Sequence, residues 1–213
     1  MKPKIGVLAL QGDFEAHRKA LERAGGEGVE VRSAADLGDL DGLIIPGGES
    51  TTMLKLLDIE NLFEPLQQFG RKKPIFGTCA GAILLASEVV NPEQRSLGLM
   101  DLTVERNGYG RQIDSRIAEI AFDEQAREDS PAEAVFIRAP LIRRVGPAAN
   151  VLARYLNAPV LVEQGKHLAA TFHPELSADA RIHRRFVEKV RAEKARRHTE
   201  NPKLSSSATL EAT

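Results

Sequence analysis

One cysteine stands in the chain, Cys79, inside the stretch PIFGTCAGAILLA at residues 74–86. Gly77 and Gly81 lie two residues to either side of it. The stretch passes from a short apolar run into a helix-like run. G-x-nucleophile-x-G is the pattern of a nucleophile elbow, a tight and strained strand-to-helix turn. Residues two positions away must be small so that backbones can pass. The helix N-terminus then faces the thiol and favours its thiolate. The backbone N–H of Ala80 becomes an oxyanion donor. A packed structural cysteine fits the same turn, so the turn alone leaves both readings open.

A cysteine nucleophile needs a base, and the base needs a group to orient it. Five histidines are available. His17 lies on an apolar helical stripe and reads as a packed or partner-facing histidine. His167 follows Gly165-Lys166 in a hairpin turn. His183 and His198 sit on a basic terminal helix and are expected in solvent. His173 ends an apolar strand and is followed by Pro174-Glu175. A histidine at a strand end can reach a neighbouring elbow. Glu175 can then bond the ring nitrogen that faces away from the thiol, and the proline stiffens the arrangement. Cys79, His173 and Glu175 form a candidate triad.

These residues need a scaffold. The run IGVLAL at residues 5–10 is short and continuously apolar, as in a strand buried on both faces. Asp13 can cap a helix that carries Phe14, His17, Leu21 and Ala24 and ends at Gly25-Gly26. Residues 29–31 and 43–45 read as strands, the second stopped by Pro46-Gly47-Gly48. Helices follow from Ser50 and over 62–69. Residues 74–77 form the next strand, and 80–89 its helix. This alternation predicts an α/β three-layer sandwich with a central mixed, mostly parallel sheet and a flavodoxin-like core. From residue 99 to about 171 the pattern changes. Strands are expected at 102–106, 117–122, 134–137, 151–156, 160–163 and 168–172, with few helices between them. A closing helix carries Ile182, Phe186 and Val190. Residues 1–198 make one domain, and 199–213 read as a disordered tail.

In open α/β sheets, sites form beyond the carboxyl ends of the strands. Gln11-Gly12, residues 46–50 and residues 77–81 are the loops expected there. The bulk numbers narrow the class. The chain has 213 residues, 42% hydrophobic and 28% charged, with a net charge of −1. That charge argues against a nucleic-acid binder built on bulk positive charge. A single cysteine excludes an internal disulfide and a Cys-rich zinc site. No metal-ligand spacing and no dinucleotide fingerprint is visible. The N-terminal apolar run is too short to span a membrane, and a soluble, cytoplasmic protein is expected.

Six motifs in order carry a resemblance: ALQGD, LIIPGGESTTM, FGTCAG, VERNGYGRQ, FIRAP and TFHPE, from Ala9 to Glu175. Together they resemble the class I, triad-type glutamine amidotransferases. Within that class they are similar to the glutaminase subunits of the pyridoxal 5′-phosphate synthase that uses ribose 5-phosphate. The resemblance implies hydrolysis of L-glutamine through a γ-glutamyl thioester on Cys79, with His173 as base and Glu175 as its orienter. It implies an oxyanion hole from the N–H groups of Gly47 and Ala80, with glycine at 47 allowing a peptide flip. The substrate pocket would use Gly48, Glu49, Ile137 and Arg138. The residues alone leave the carboxylate-binding arginine open among positions 106, 111, 116, 138, 143 and 144. The resemblance favours Arg106, with Asn107 beside it. It implies no cofactor in this chain. The partner would be a (β/α)8-barrel synthase subunit, in an assembly of up to twelve plus twelve, with Gln11 near the contact. Two other readings stand beside this one: a γ-glutamyl peptidase without an ammonia acceptor, and a catalytically silent regulatory module.

Overall fold

The structure, a computed structural model, describes residues 2–106, 115–126, 128 and 130–200. The first half alternates strand and helix: β1 (Lys4–Leu8), α1 (Phe14–Arg23), β2 (Glu27–Val31), β3 (Gly42–Ile45), α2 (Ser50–Ile59), α3 (Phe63–Lys72), β4 (Ile75–Thr78) and α4 (Ala80–Leu85). Strands dominate next: β5 (Ala86–Val90), β6 (Met100–Glu105), β7 (Ser115–Phe122), β8 (Ala132–Ile137), β9 (Leu141–Val145), β10 (Asn150–Tyr155), β11 (Ala158–Gln164) and β12 (His167–Ala170). Helix α5 (Arg181–Glu200) closes the described chain. It continues through Thr199 and Glu200, residues expected in the tail; residues 201–213 lie outside the described residues.

A nine-stranded mixed sheet runs in the order β2-β1-β3-β4-β12-β11-β10-β7-β8. From β2 to β12 the neighbours are parallel. From β12 to β8 they are antiparallel. The continuous apolar runs are explained by the two faces they cover. Ile5, Val7, Ile44 and Phe76 point to the side of α1 and α5, where Leu21, Phe186 and Val190 pack. Leu8, Leu43, Ile45 and Ile75 point to the side of α2 and α3, where Met53, Leu57 and Leu66 pack. Alternating side chains of one strand thus serve two cores, so no polar face is left to break the run.

Two elements depart from expectation. The helix expected over 80–89 stops at Leu85. Ala86 turns extended, and Leu97 and Leu99 donate to the carbonyls of Leu84 and Leu85. The chain then pairs Val89 with Val104 in a small sheet of order β5-β6-β9. Strand β9 was not expected. Its arginines hide it, because Arg143 and Arg144 reach Glu105 and Asp101 from its solvent face.

The site lies where the parallel strands end. In sheet order β1, β3, β4 and β12, four adjacent strands release their loops on one edge: Gln11-Gly12, residues 46–49, Cys79 and residues 171–175.

Candidate active site

Cys79 sits at φ 49° and ψ −105°, between β4 and α4. A non-glycine residue there holds strain of about 1–3 kcal/mol, which the surroundings must over-determine. The Cys79 N–H donates to Ala170 O at 2.8 Å, and Ile83 N–H donates to Cys79 O at 3.2 Å. The flanking glycines are required by space. A Cβ on Gly77 would fall 2.4 Å from Gly81 O, and a Cβ on Gly81 would fall 2.0 Å from Ile45 O. The elbow therefore has the crowding that the sequence pattern anticipates. The N–H of Ala80 opens the first turn of α4, where helix geometry gives it no partner.

His173 follows β12 by three residues and reaches the elbow. Its side chain lines the same cavity as the Cys79 thiol, which donates to Ile137 O at 3.9 Å, and its Nδ1 lies 2.7 Å from Glu175 Oε1. Glu175 stands in a short 3₁₀ turn begun by Pro174 and is buried. Burial alone would lower the His173 pKa. The hydrogen bonds and charges of Cys79 and Glu175 outweigh it and lift the imidazole to about 10. The three residues of the candidate triad thus meet, in the chemical order expected.

Gly47 packs against the base. A Cβ there would come within 2.3 Å of His173 Cε1 and 3.2 Å of Cys79 Cβ. Space, and not a left-handed φ, demands glycine at 47. The positive φ belongs to its neighbour Gly48, at 139°. Gln11 reaches this loop from the end of β1, its Nε2 donating to Glu49 O at 2.6 Å.

A cavity of about 190 Å³ opens over the thiol. Cys79, His173, Gly48, Glu49, Ile137 and Arg138 line it. Arg106 lines it as well. Its guanidinium donates to Glu49 Oε1 at 3.1 Å and Thr51 Oγ1 at 2.8 Å. Two of the other candidate arginines, Arg143 and Arg144, pair with acidic residues on β6, and Arg116 bonds the Tyr155 hydroxyl. Asn107 and Arg111 lie outside the described residues. Glu49 has a second task. It caps α2, accepting from Thr51 N at 3.0 Å and Thr52 N at 2.7 Å. Burial pushes its pKa up, but these bonds outweigh that and hold it at about 2.

Sequence reasoning missed several residues. Ser50 and Ile83 also line the cavity. His183, expected in solvent, is fully buried. Its spacing to Phe186, Val187 and Val190 places it on the apolar stripe of α5, a signal the surrounding basic residues mask.

Residues 7–192 match the SNO glutamine amidotransferase family. A relative from Solibacter usitatus, named pyridoxal 5′-phosphate synthase subunit PdxT, is 59% identical over 190 residues, covering 88% of this chain and 99% of its own. One of the same name from Koribacter versatilis is 55% identical over 188 residues, with coverages of 88% and 96%. A solved structure described as a glutamine amidotransferase matches with a TM-score of 0.80 at 47% identity, covering 87% of this chain and 98% of its own. The PurLQS structure from Thermotoga maritima, 18% identical with a TM-score of 0.60, covers 92% of this chain and 99% of its own and shares the fold.

Proposed function

This chain belongs to the SNO glutamine amidotransferase family, and from that premise we propose how it works. It hydrolyses L-glutamine to L-glutamate and ammonia, and hands the ammonia to a synthase subunit that makes pyridoxal 5′-phosphate. The observation that carries the site assignment is the line Cys79–His173–Glu175, with His173 Nδ1 2.7 Å from Glu175 Oε1 and the thiol on the cavity wall.

Cys79 Sγ gives its proton to His173 and attacks the side-chain amide carbon of glutamine. The C=O electrons move onto oxygen, which the N–H groups of Ala80 and Gly47 stabilise. His173 returns the proton to the departing nitrogen, the C–N bond breaks, and ammonia and a γ-glutamyl thioester form. Water then attacks the thioester, with His173 now accepting a proton. The thiol leaves and glutamate is released. Glu175 keeps His173 turned toward sulfur throughout. Its charge also favours the imidazolium that each half-reaction forms.

Arg106 binds the α-carboxylate of glutamine, since a guanidinium matches that group bidentately. It is held in place by Glu49 and Thr51. Gly48, Glu49, Ile137 and Arg138 complete the pocket. The partner is a (β/α)8-barrel synthase subunit, and the assembly reaches twelve of each. Gln11 lies beside that contact, which supports a role in transmitting it to the loop at Gly48. The glutaminase domain takes in the chain through the end of α5 at Glu200. Among the described residues no helix is long and apolar enough to cross a membrane. A free thiol nucleophile suits the reducing cytoplasm, where we place the assembly.

The test is Cys79→Ala in the assembled complex. Glutamate release should fall to background while the complex still forms. Retained activity would refute the assignment. Faster glutamate release from γ-glutamyl peptides than from glutamine would favour the peptidase reading.

A further inference from the structure

Behind Glu175, the protein buries two more histidines that the reaction above does not use. His17 on α1 and His183 on α5 are both fully buried. His17 Nδ1 lies 3.0 Å from His183 Nε2. His17 Nε2 lies 3.2 Å from Thr78 Oγ1, in the residue before the nucleophile, and 3.3 Å from Glu175 Oε2. Two buried atoms of this cluster have no aligned hydrogen-bond partner: Glu175 Oε2 and His183 Nδ1.

We infer that His17 is a positioning residue for the triad, presenting an Nε2–H to the outer oxygen of Glu175, with His183 fixing that tautomer. The inference rests on the triad reading above.

The proton count leads there. A neutral imidazole carries one N–H and one lone pair. Burial, then the charges of His183 and His173, holds the His17 pKa well below its ordinary value. Burial, then the charge of Arg23, brings His183 to about 3. Both rings are neutral. If His17 carried its proton on Nδ1, His183 Nε2 would have to accept. The His183 proton would then sit on Nδ1, a buried donor with no acceptor, and the His17 Nε2 lone pair would face a carboxylate oxygen. Each is a cost that a buried site does not tolerate. With the proton on Nε2 both costs vanish. His17 Nε2–H donates to Thr78 Oγ1 and turns its positive edge to Glu175 Oε2. His17 Nδ1 accepts from His183 Nε2–H, and His183 Nδ1 is left as a bare lone pair.

The geometry assigns a consequence to each oxygen of Glu175. Oε1 holds His173, and Oε2 lies in the field of the His17 N–H. Without that field the carboxylate is free to rotate, and His173 loses its fixed direction toward sulfur.

Histidine-selective 15N NMR of the full chain tests the tautomers directly. His17 and His183 should each show a protonated Nε2 and an unprotonated Nδ1. A proton on His17 Nδ1, alone or as imidazolium, overturns the inference. Kinetics of the complex with the synthase subunit test the role. His17→Leu should lower kcat about tenfold to a hundredfold, the range of comparable outer-layer partners, with KM little changed. His17→Gln keeps an N–H near the Nε2 place and should recover most of the loss. A wild-type kcat in the leucine variant, or an equal loss in both variants, overturns the role. Should the leucine variant not fold, the glutamine variant and the spectra decide. Full activity in Cys79→Ala would sink the triad reading instead, and the NMR result would stand apart from it.

Discussion

At the residue scale, the site is set by what has no room to be otherwise. Gly47 is the sharpest case. The sequence suggests glycine for its backbone freedom, yet the crowding of His173 and Cys79 is what requires it. The Gly47→Ala variant should keep the fold, because the atom it strikes belongs to a side chain that can turn aside. His173 would then leave its line to the thiol. A displacement of about 1 Å can cost on the order of a hundredfold in rate. We expect such a loss in glutamate release, appearing in kcat, with an unchanged melting temperature. Activity equal to wild type would show that His173 tolerates the methyl group. The three triad residues were legible because each bears a rare signature: a lone thiol between glycines, and H-P-E after a strand. His183 was not legible in that way. A histidine among eight arginines and lysines of one helix reads as solvated until its register against Phe186 and Val190 is counted.

At the scale of elements, two junctions hold the site. The first is the crossing of α4 over β3 and β4. Gly81 lets the helix touch Ile45 O, and a backbone atom cannot swing away. Gly81→Ala should therefore destabilise the protein by about 1–3 kcal/mol, the range for overpacking. Urea unfolding would measure it, and an unchanged midpoint would contradict the contact. The second junction is the start of α2. Glu49 caps the helix with its carboxylate and also holds Arg106. Its folded pKa of about 2 lies below the ordinary carboxylate value of 4.5. The sign follows from that: the cap's stabilisation is fully present above the unfolded value and is lost as pH falls through about 2. Glu49→Ala should cost about 0.5–2 kcal/mol near neutral pH. The gap to wild type should narrow as pH falls toward 2. A gap independent of pH would argue against a charged cap. The parallel strands were legible as apolar runs because they are covered on both faces. Strand β5 was not, since only pairing with β6 and the bonds of Leu97 and Leu99 stop the preceding helix.

At the scale of the whole molecule, the question is how a partner could reach the thiol. Ammonia released into water is lost or protonated, so a chain acting alone would waste glutamine. The loops at residues 11–12 and 46–49 are pressed together. A Cβ on Gly12 would meet Gly47 O at 2.1 Å, and Gln11 Nε2 holds Glu49 O. A subunit that moves Gln11 must therefore move the loop that carries the proposed oxyanion donor. An oxyanion hole missing one donor runs about a hundredfold to a thousandfold slower. Ammonia release from glutamine should rise by about that factor when the synthase subunit is added. Gln11→Ala should assemble normally and lose most of the stimulation, because its link to Glu49 is gone. Equal rates with and without the synthase would sink the idea that docking completes the site. Full stimulation in the Gln11→Ala complex would leave activation intact and remove Gln11 from its path, placing the moving contact elsewhere on the edge where the four parallel strands end.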